Sequence, residues 1–376
     1  MTEIHQFLPT FAAHDAIGMH TLRVRKVLRE AGFSSDIYAD DIHDEMRGEA
    51  RHYREFPSGR TSSSDRWVLY HSSTGSPMVD WLCRQDDPVM IDYHNITEAK
   101  YFDRWAPGAA ESMRHARDQL RQLVPCTRFA LADSAFNEAE LVSAGFTNTA
   151  VAPILIDFSD YEVAPSARTV TRLERLKQSG GAQWLFVGRV APNKCQHDVI
   201  GAFAVYRELF DPKAHLTLVG GMTAYLYWRS LEGLINELGL AGAVTMADSI
   251  PFPELLAHYR NADVFVCLSE HEGFCVPVLE AMHFGVPVVA FASSAVPDTV
   301  AGAGVILPDK DPVLVATAVD RVLGDAPLRE DLVREGQGRV DHFSLANSSR
   351  RMLEAITGFL ASADGAGIER RSTAHG

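Results

Sequence analysis

The feature that most constrains this chain is an alternation that starts twice. Short, almost unbroken apolar runs are each followed by a stretch of helical periodicity. In the first half the runs are Ile4–Phe7, Asp36–Ala39, Trp67–His71, Val89–His94, Phe129–Asp133 and Thr149–Leu155. A helix is predicted over His20–Ala31, with Gly32 in the stop position. Strands apolar on both sides belong to parallel sheets covered on both faces. Between about Phe158 and Gly181 the rhythm breaks into polar, then charged and helical, then SGG sequence, which reads as a linker. The alternation resumes at Gln183–Val187 and runs on through His215–Val219, Val244–Met246, Val264–Leu268, Val288–Phe291 and Gly304–Ile306.

The fold class that follows is α/β, with two Rossmann-like doubly wound parallel-sheet domains. A chain of 376 residues exceeds what one core supports, which agrees with two domains. Their expected extents are 1–165 and 166–345, followed by a helix over 346–361 and a loose tail over 362–376. Right-handed crossovers place the loops after the strand C-termini on one edge of each sheet. Two sheets facing each other would line a cleft with both sets of loops.

Charge narrows the partners. Lys and Arg total 35 against 49 Asp and Glu, a net charge of −14. An acidic surface repels nucleic acid and anionic lipid, so neither is expected as a partner. The basic stretch Arg23, Arg25, Lys26 and Arg29 reads as the wet face of a helix, or as a weak patch for a membrane or anionic acceptor. No stretch approaches the roughly 20 apolar residues of a membrane span, and the N-terminus MTEIHQFLPTF has no secretory pattern. The five cysteines, Cys83, Cys126, Cys195, Cys267 and Cys275, are scattered and show no zinc or redox spacing. A reduced, cytoplasmic setting and no metal site are the expectations.

Two motifs carry chemistry. Gly188-Arg189-Val190-Ala191-Pro192-Asn193-Lys194 follows the strand Gln183–Val187. Gly188 permits a sharp turn, and Arg189 and Lys194 offer a planar fork and a point charge that suit a diphosphate. The second motif, Glu270 to Glu280, follows Val264–Leu268, and seven residues separate Glu272 from Glu280. A helix starting near Pro277 would point its positive end at the loop Gly273-Phe274-Cys275-Val276. Carboxylates accept paired hydrogen bonds from vicinal diols, so two of them suit a ribose and a hexose.

With these motifs the stretch from Trp184 to Pro308 resembles the retaining glycosyltransferases of family 4, which have the GT-B fold. The matching pieces are GRVAPNK, LVGG at Leu218–Gly221, SEHEGFCVPVLEAMHFGVPVVA and ASSAVPDTVAGAGVILP. The resemblance implies a hexosyltransferase that takes a UDP- or GDP-sugar, needs no metal and forms no covalent intermediate. It implies Arg189 and Lys194 on the donor diphosphate, Glu280 on the ribose and Glu272 on the donor sugar. The backbone of Gly188, Gly273, Phe274, Cys275, Val276 and Leu279 would line the donor pocket. Relatives often have Gly and Leu where this chain has Cys275 and Val276. In the first half, the family's glycine-rich loop is represented only by Gly18, after His14-Asp15. His94 resembles a histidine that helps orient the donor sugar. His71, Asn95 and Thr97 are weaker candidates for acceptor contact, beside the aromatic run Tyr101–Trp105. The resemblance also implies a last helix that crosses back to the first domain.

Three other readings compete. An epimerase or hydrolase of GT-B fold would act without an acceptor. An NAD-dependent oxidoreductase shares the alternation, but no G-x-G-x-x-G turn follows a strand here. A silent sugar-nucleotide sensor is disfavoured by the intact Arg189, Lys194, Glu272 and Glu280. The acceptor is expected to be a soluble small molecule or saccharide, and no oligomeric state is implied.

Overall fold

The structure is a computed structural model, and it describes residues 2–13, 15–57 and 65–362. The chain divides into two compact units. Unit 1 comprises the chain up to Glu98, Glu111–Ile156, and the chain from Phe343 onward. Unit 2 comprises Ala99–Ala110 and Asp157–His342. His14, the segment 58–64 and the tail from 363 fall outside the described residues.

Unit 1 is built on a seven-stranded, all-parallel sheet. Its strands are β1 (Glu3–Phe11), β2 (Ile37–Ile42), β3 (Arg51–His52), β4 (Arg66–Ser72), β5 (Val89–Tyr93), β6 (Thr127–Ala132) and β7 (Thr149–Val151). Their order is β3-β2-β1-β4-β5-β6-β7, so the winding reverses between β1 and β4. Every residue of β4 and β5 is buried, as expected of strands with helices on both faces. The two-residue β3 is too short to leave a periodic trace and was not foreseen.

Helix α1 (Ala16–Glu30) is capped by Asp15, whose carboxylate accepts from the amides of Ile17 and Gly18. A side chain at Gly18 would meet the Ala12 carbonyl oxygen at 2.4 Å, so glycine there lets the helix start press on the loop after β1. The remaining helices of unit 1 are α2 (Met78–Leu82), α3 (Pro107–Leu123), whose first turn lies in unit 2, and α4 (Ala135–Ala144). Leu345–Ala361, α13 in the chain's helix order, closes one face. Its Met352, Ile356 and Phe359 pack with Ile4, Val24, Trp67 and Phe129. Phe359 stacks on Phe129 with 4.6 Å between ring centres.

Unit 2 repeats the plan with six parallel strands. They are β8 (Gln183–Val187), β9 (His215–Val219), β10 (Val244–Met246), β11 (Val264–Cys267), β12 (Val288–Phe291) and β13 (Val305–Leu307). The order β10-β9-β8-β11-β12-β13 reverses between β8 and β11. Its helices are α5 (Ala167–Gln178), α6 (Gln196–Leu209), α7 (Tyr225–Glu237), α8 (Phe252–Asn261), α9 (Val276–His283), α10 (Val296–Val300), α11 (Pro312–Gly324) and α12 (Ala326–His342). The segment read as a linker contains α5, whose Ser166 cap amide is tied to the Pro253 carbonyl. The segment Ala99–Ala110 joins unit 2 through aromatic contacts: Trp105 sits edge-on to Tyr227, 5.2 Å between ring centres.

Two expectations about side chains change. Cys83 and Cys126, 43 residues apart in sequence, form a disulfide with Cα atoms 5.5 Å apart. Nothing in their spacing announced it, because α2 and the end of α3 bring them together only in the fold. The basic stretch on α1 is largely spent internally. Arg23 donates to the Leu155 carbonyl, Arg25 pairs with Glu49, and Arg29 pairs with Asp36. Among the described residues no helix is long and apolar enough to cross a membrane.

Candidate active site

Doubly wound sheets bind ligands outside the strand C-termini where the winding reverses. In unit 2 that point lies between β8 and β11, and both sequence motifs leave the sheet there. The loop after β8 is held close to its neighbour. A side chain on Gly220, after β9, would meet the Gly188 carbonyl oxygen at 2.0 Å, and both glycines have positive φ. Arg189 is exposed, and its guanidinium has no acceptor among the described residues. Lys194 reaches the other way, 2.5 Å from a Glu272 carboxylate oxygen, with both side chains largely buried.

Two loops and a helix brace the glycine segment. Asn193, after β8, accepts from the Glu270 amide at its carbonyl and donates from its side chain to the His271 carbonyl. Ser294, after β12, accepts from the Glu272 amide, and Thr299 on α10 donates to the Phe274 carbonyl. Cys275 caps α9 in the left-handed region at φ 74°, a conformation uncommon for a residue with a side chain. Pro at the start of α9 suits the free amide end of the helix. Val276 is the first residue of α9, and Leu279 packs inward from it, fully buried.

Glu280 is held by partners the sequence did not reveal. Tyr161 and Tyr259 each donate a hydroxyl to a different Glu280 oxygen, both at 2.5 Å. Burial pushes the Glu280 carboxyl up, while the two hydroxyls favour its ionised form. Lys310 bridges Asp198 and Glu270 at 2.5 and 2.6 Å. Burial opposes its charge, yet the two acids hold its ammonium above the ordinary lysine range. Its place two residues beyond Pro308 was the only signal of it.

In unit 1 the reversal lies between β1 and β4, with β5 next in line. Here the structure gathers His20, His71, Asp92 and His94, whose donor atoms lie within 4.8 Å of one another. His94 bonds Asp133 through Nδ1 at 3.0 Å and His71 through Nε2 at 3.0 Å. His71 is wholly buried, with its Nε2 on Gln6 at 2.9 Å. It is therefore a partner of His94, and an acceptor arriving from solvent cannot touch it. Asn95, at φ 74°, spends its amide on Asn137 and Glu140. Thr97 is half-buried.

Residues 168–339 match the family described as glycosyl transferases group 1. These residues form a group 1 glycosyl transferase domain, and the chain is a glycosyltransferase. It is 28% identical over 335 residues to D-inositol 3-phosphate glycosyltransferase of Kineococcus radiotolerans, covering 83% of this chain and 73% of that one. It is 30% identical to the GDP-mannose-dependent alpha-(1-6)-phosphatidylinositol monomannoside mannosyltransferase of Mycolicibacterium smegmatis, over 54% of each chain. In structure the glycosyltransferase resembles sucrose-phosphate synthase of Thermosynechococcus elongatus, with a TM-score of 0.73 and 20% identity over 96% of this chain and all of that one. That likeness extends the GT-B fold, two Rossmann-like domains, across both units.

Proposed function

We propose that this glycosyltransferase moves a hexosyl group from a UDP- or GDP-sugar to an acceptor hydroxyl with retention of configuration. One observation carries the reading. Glu272 and Glu280 flank the α9 start at the reversal point of a Rossmann-like sheet, with Lys194 on one and Arg189 open beside it. In this reading Glu280 takes the ribose hydroxyls and Glu272 a hydroxyl of the donor sugar. Arg189 and Lys194 meet the charge that grows on the leaving diphosphate. The backbone of Gly188, Gly273, Phe274, Cys275 and Val276 serves the donor. The departing diphosphate, still beside the sugar, takes the acceptor proton on the same face. The protein supplies position and charge, and no side chain becomes covalently attached.

Two fixed cations remove the need for a divalent metal, so a chelator should leave turnover unchanged. The inositol phosphate and phosphatidylinositol monomannoside in the relatives' names make a polyol or saccharide hydroxyl the acceptor class to try first. The test is thermal stabilisation by UDP, GDP, ADP and their sugar conjugates, on the native protein and on Glu280→Ala. A ligand at about 100 times its Kd adds about 2.7 kcal/mol. A shift with one nucleotide, weakened in the variant, supports the site and names the base. No shift with any of them sinks the reading. The anomeric configuration of the product, read by NMR, tests retention.

A further inference from the structure

The buried cluster of unit 1 can be read proton by proton. The Leu155 amide donates to His20 Nδ1 at 2.9 Å, so that nitrogen holds a lone pair and Nε2 carries the hydrogen. His20 Nε2 then donates to Asp92 at 2.9 Å. This excludes His20 as a ligand through Nε2 for any metal in the cluster. At the other end, the Gln6 side-chain oxygen accepts from His71 Nε2, and its amide nitrogen donates to Ser35. His71 Nδ1 is thereby a lone pair, and the atom 3.0 Å from it, His94 Nε2, must bear a hydrogen. His94 Nδ1 lies 3.0 and 3.1 Å from the two oxygens of Asp133, a carboxylate clasp on a second N–H.

We infer that His94 carries hydrogens on both ring nitrogens and works as a fixed cation, not as a general base, with Asp133 and His71 as its positioning residues. Turning the Gln6 amide end for end would reverse the chain and leave His94 neutral. Charge balance rejects that arrangement. Asp92 and Asp133 are both buried, and one Asp92 oxygen has no hydrogen-bond partner among the described residues. Two buried carboxylates with no cation are costly, and one imidazolium between them offsets most of the penalty.

The groups facing His94 are Asp133 after β6, Asp92 on β5, His71 on β4, and His20 and Asp15 at the start of α1. Burial opposes its charge, but Asp133 and Asp92 outweigh it and push its pKa up to about 9. Burial pushes His71 well below the ordinary range, so the two rings divide into one charged and one neutral. A base-free His94 agrees with transfer in which the leaving diphosphate takes the proton. In that respect the inference rests on the proposed function.

The test is ¹⁵N NMR of the histidine rings in the intact protein. His94 should show both nitrogens protonated at pH 7.5, and His71 only Nε2. In Asp133→Asn, loss of a charge at hydrogen-bond distance should lower the His94 titration by roughly 1–3 pH units. The alkaline limb of kcat/KM should move with it. His71→Gln keeps a carbonyl acceptor and should hold the limb in place, whereas His71→Phe should lower it. A neutral His94 ring in the NMR spectrum overturns the inference, as does one bound metal ion per chain, which would need the His71 and His94 lone pairs. The ring spectra need no turnover, so they stand or fall independently of the transferase reading.

Discussion

The two units share a winding plan and use its reversal point in opposite ways. In unit 2 the point is open and charged. Arg189 stands free, and the loops after β8, β11 and β12 are tied to one another where the Glu270 amide donates to the Asn193 carbonyl and the Glu272 amide to the Ser294 hydroxyl. In unit 1 the point is filled. Three histidines and two aspartates from α1, β4, β5 and the end of β6 close on one another, and their polar atoms are nearly all spent internally. One sheet leaves its edge ready for an anion, and the other locks its edge into a fixed shape.

Four measurements break or sharpen that contrast. The largest effect is expected from Phe359→Ala, which removes a ring stacked on Phe129 and edge-on to Trp67. It should cost unit 1 about 3–5 kcal/mol, seen as an early denaturation step with unit 2 unmoved. A single shared transition would show that the units do not stand alone. Next, Lys194→Ala should lower kcat/KM by about 10²–10³, the range for loss of one charge-stabilising group. A change in KM alone would assign Lys194 to ground-state binding.

Glycine substitutions give a finer comparison. Gly220→Ala forces a side chain onto the Gly188 carbonyl and should destabilise unit 2 by well over the penalty at Gly32. Gly32→Ala, at φ 89° with open space around it, should cost only about 1–2 kcal/mol, the left-handed strain itself. Equal losses in calorimetry would remove close strand approach as the reason for Gly220. The last comparison is in pH. His94 has a folded-state pKa raised to about 9, so its stabilising contribution is complete below the unfolded value near 6.5. That contribution disappears as pH rises through about 9. Denaturation midpoints of the native protein should fall over this window, and those of Asp133→Asn should fall less. Parallel curves would contradict a protonated His94.

The contrast also explains what could be read in advance. Val288–Phe291, His215–Val219 and the Arg189–Lys194 loop were legible because strand period and loop chemistry are local. The cluster in unit 1 was not, since His20, His71, Asp92 and Asp133 are spread over more than a hundred residues. Only His94, through resemblance, and His71, as a weaker candidate for acceptor contact, stood out. Tyr161 and Tyr259 were hidden for the same reason: nothing near either one in the chain points to Glu280. Cys83 and Cys126 looked unrelated until α2 and α3 placed them side by side. β3 was lost to its brevity.

The return of the last helix to unit 1 sets an order of events at birth. A chain emerging from the ribosome has all of unit 2 available once His342 is out. Ile4, Val24 and Trp67 were made long before, but Met352, Ile356 and Phe359, which cover that face, follow only after the whole of unit 2. Unit 1, which is begun before unit 2, is thus the unit that must wait, with an apolar surface open to chaperones until its returning helix is made.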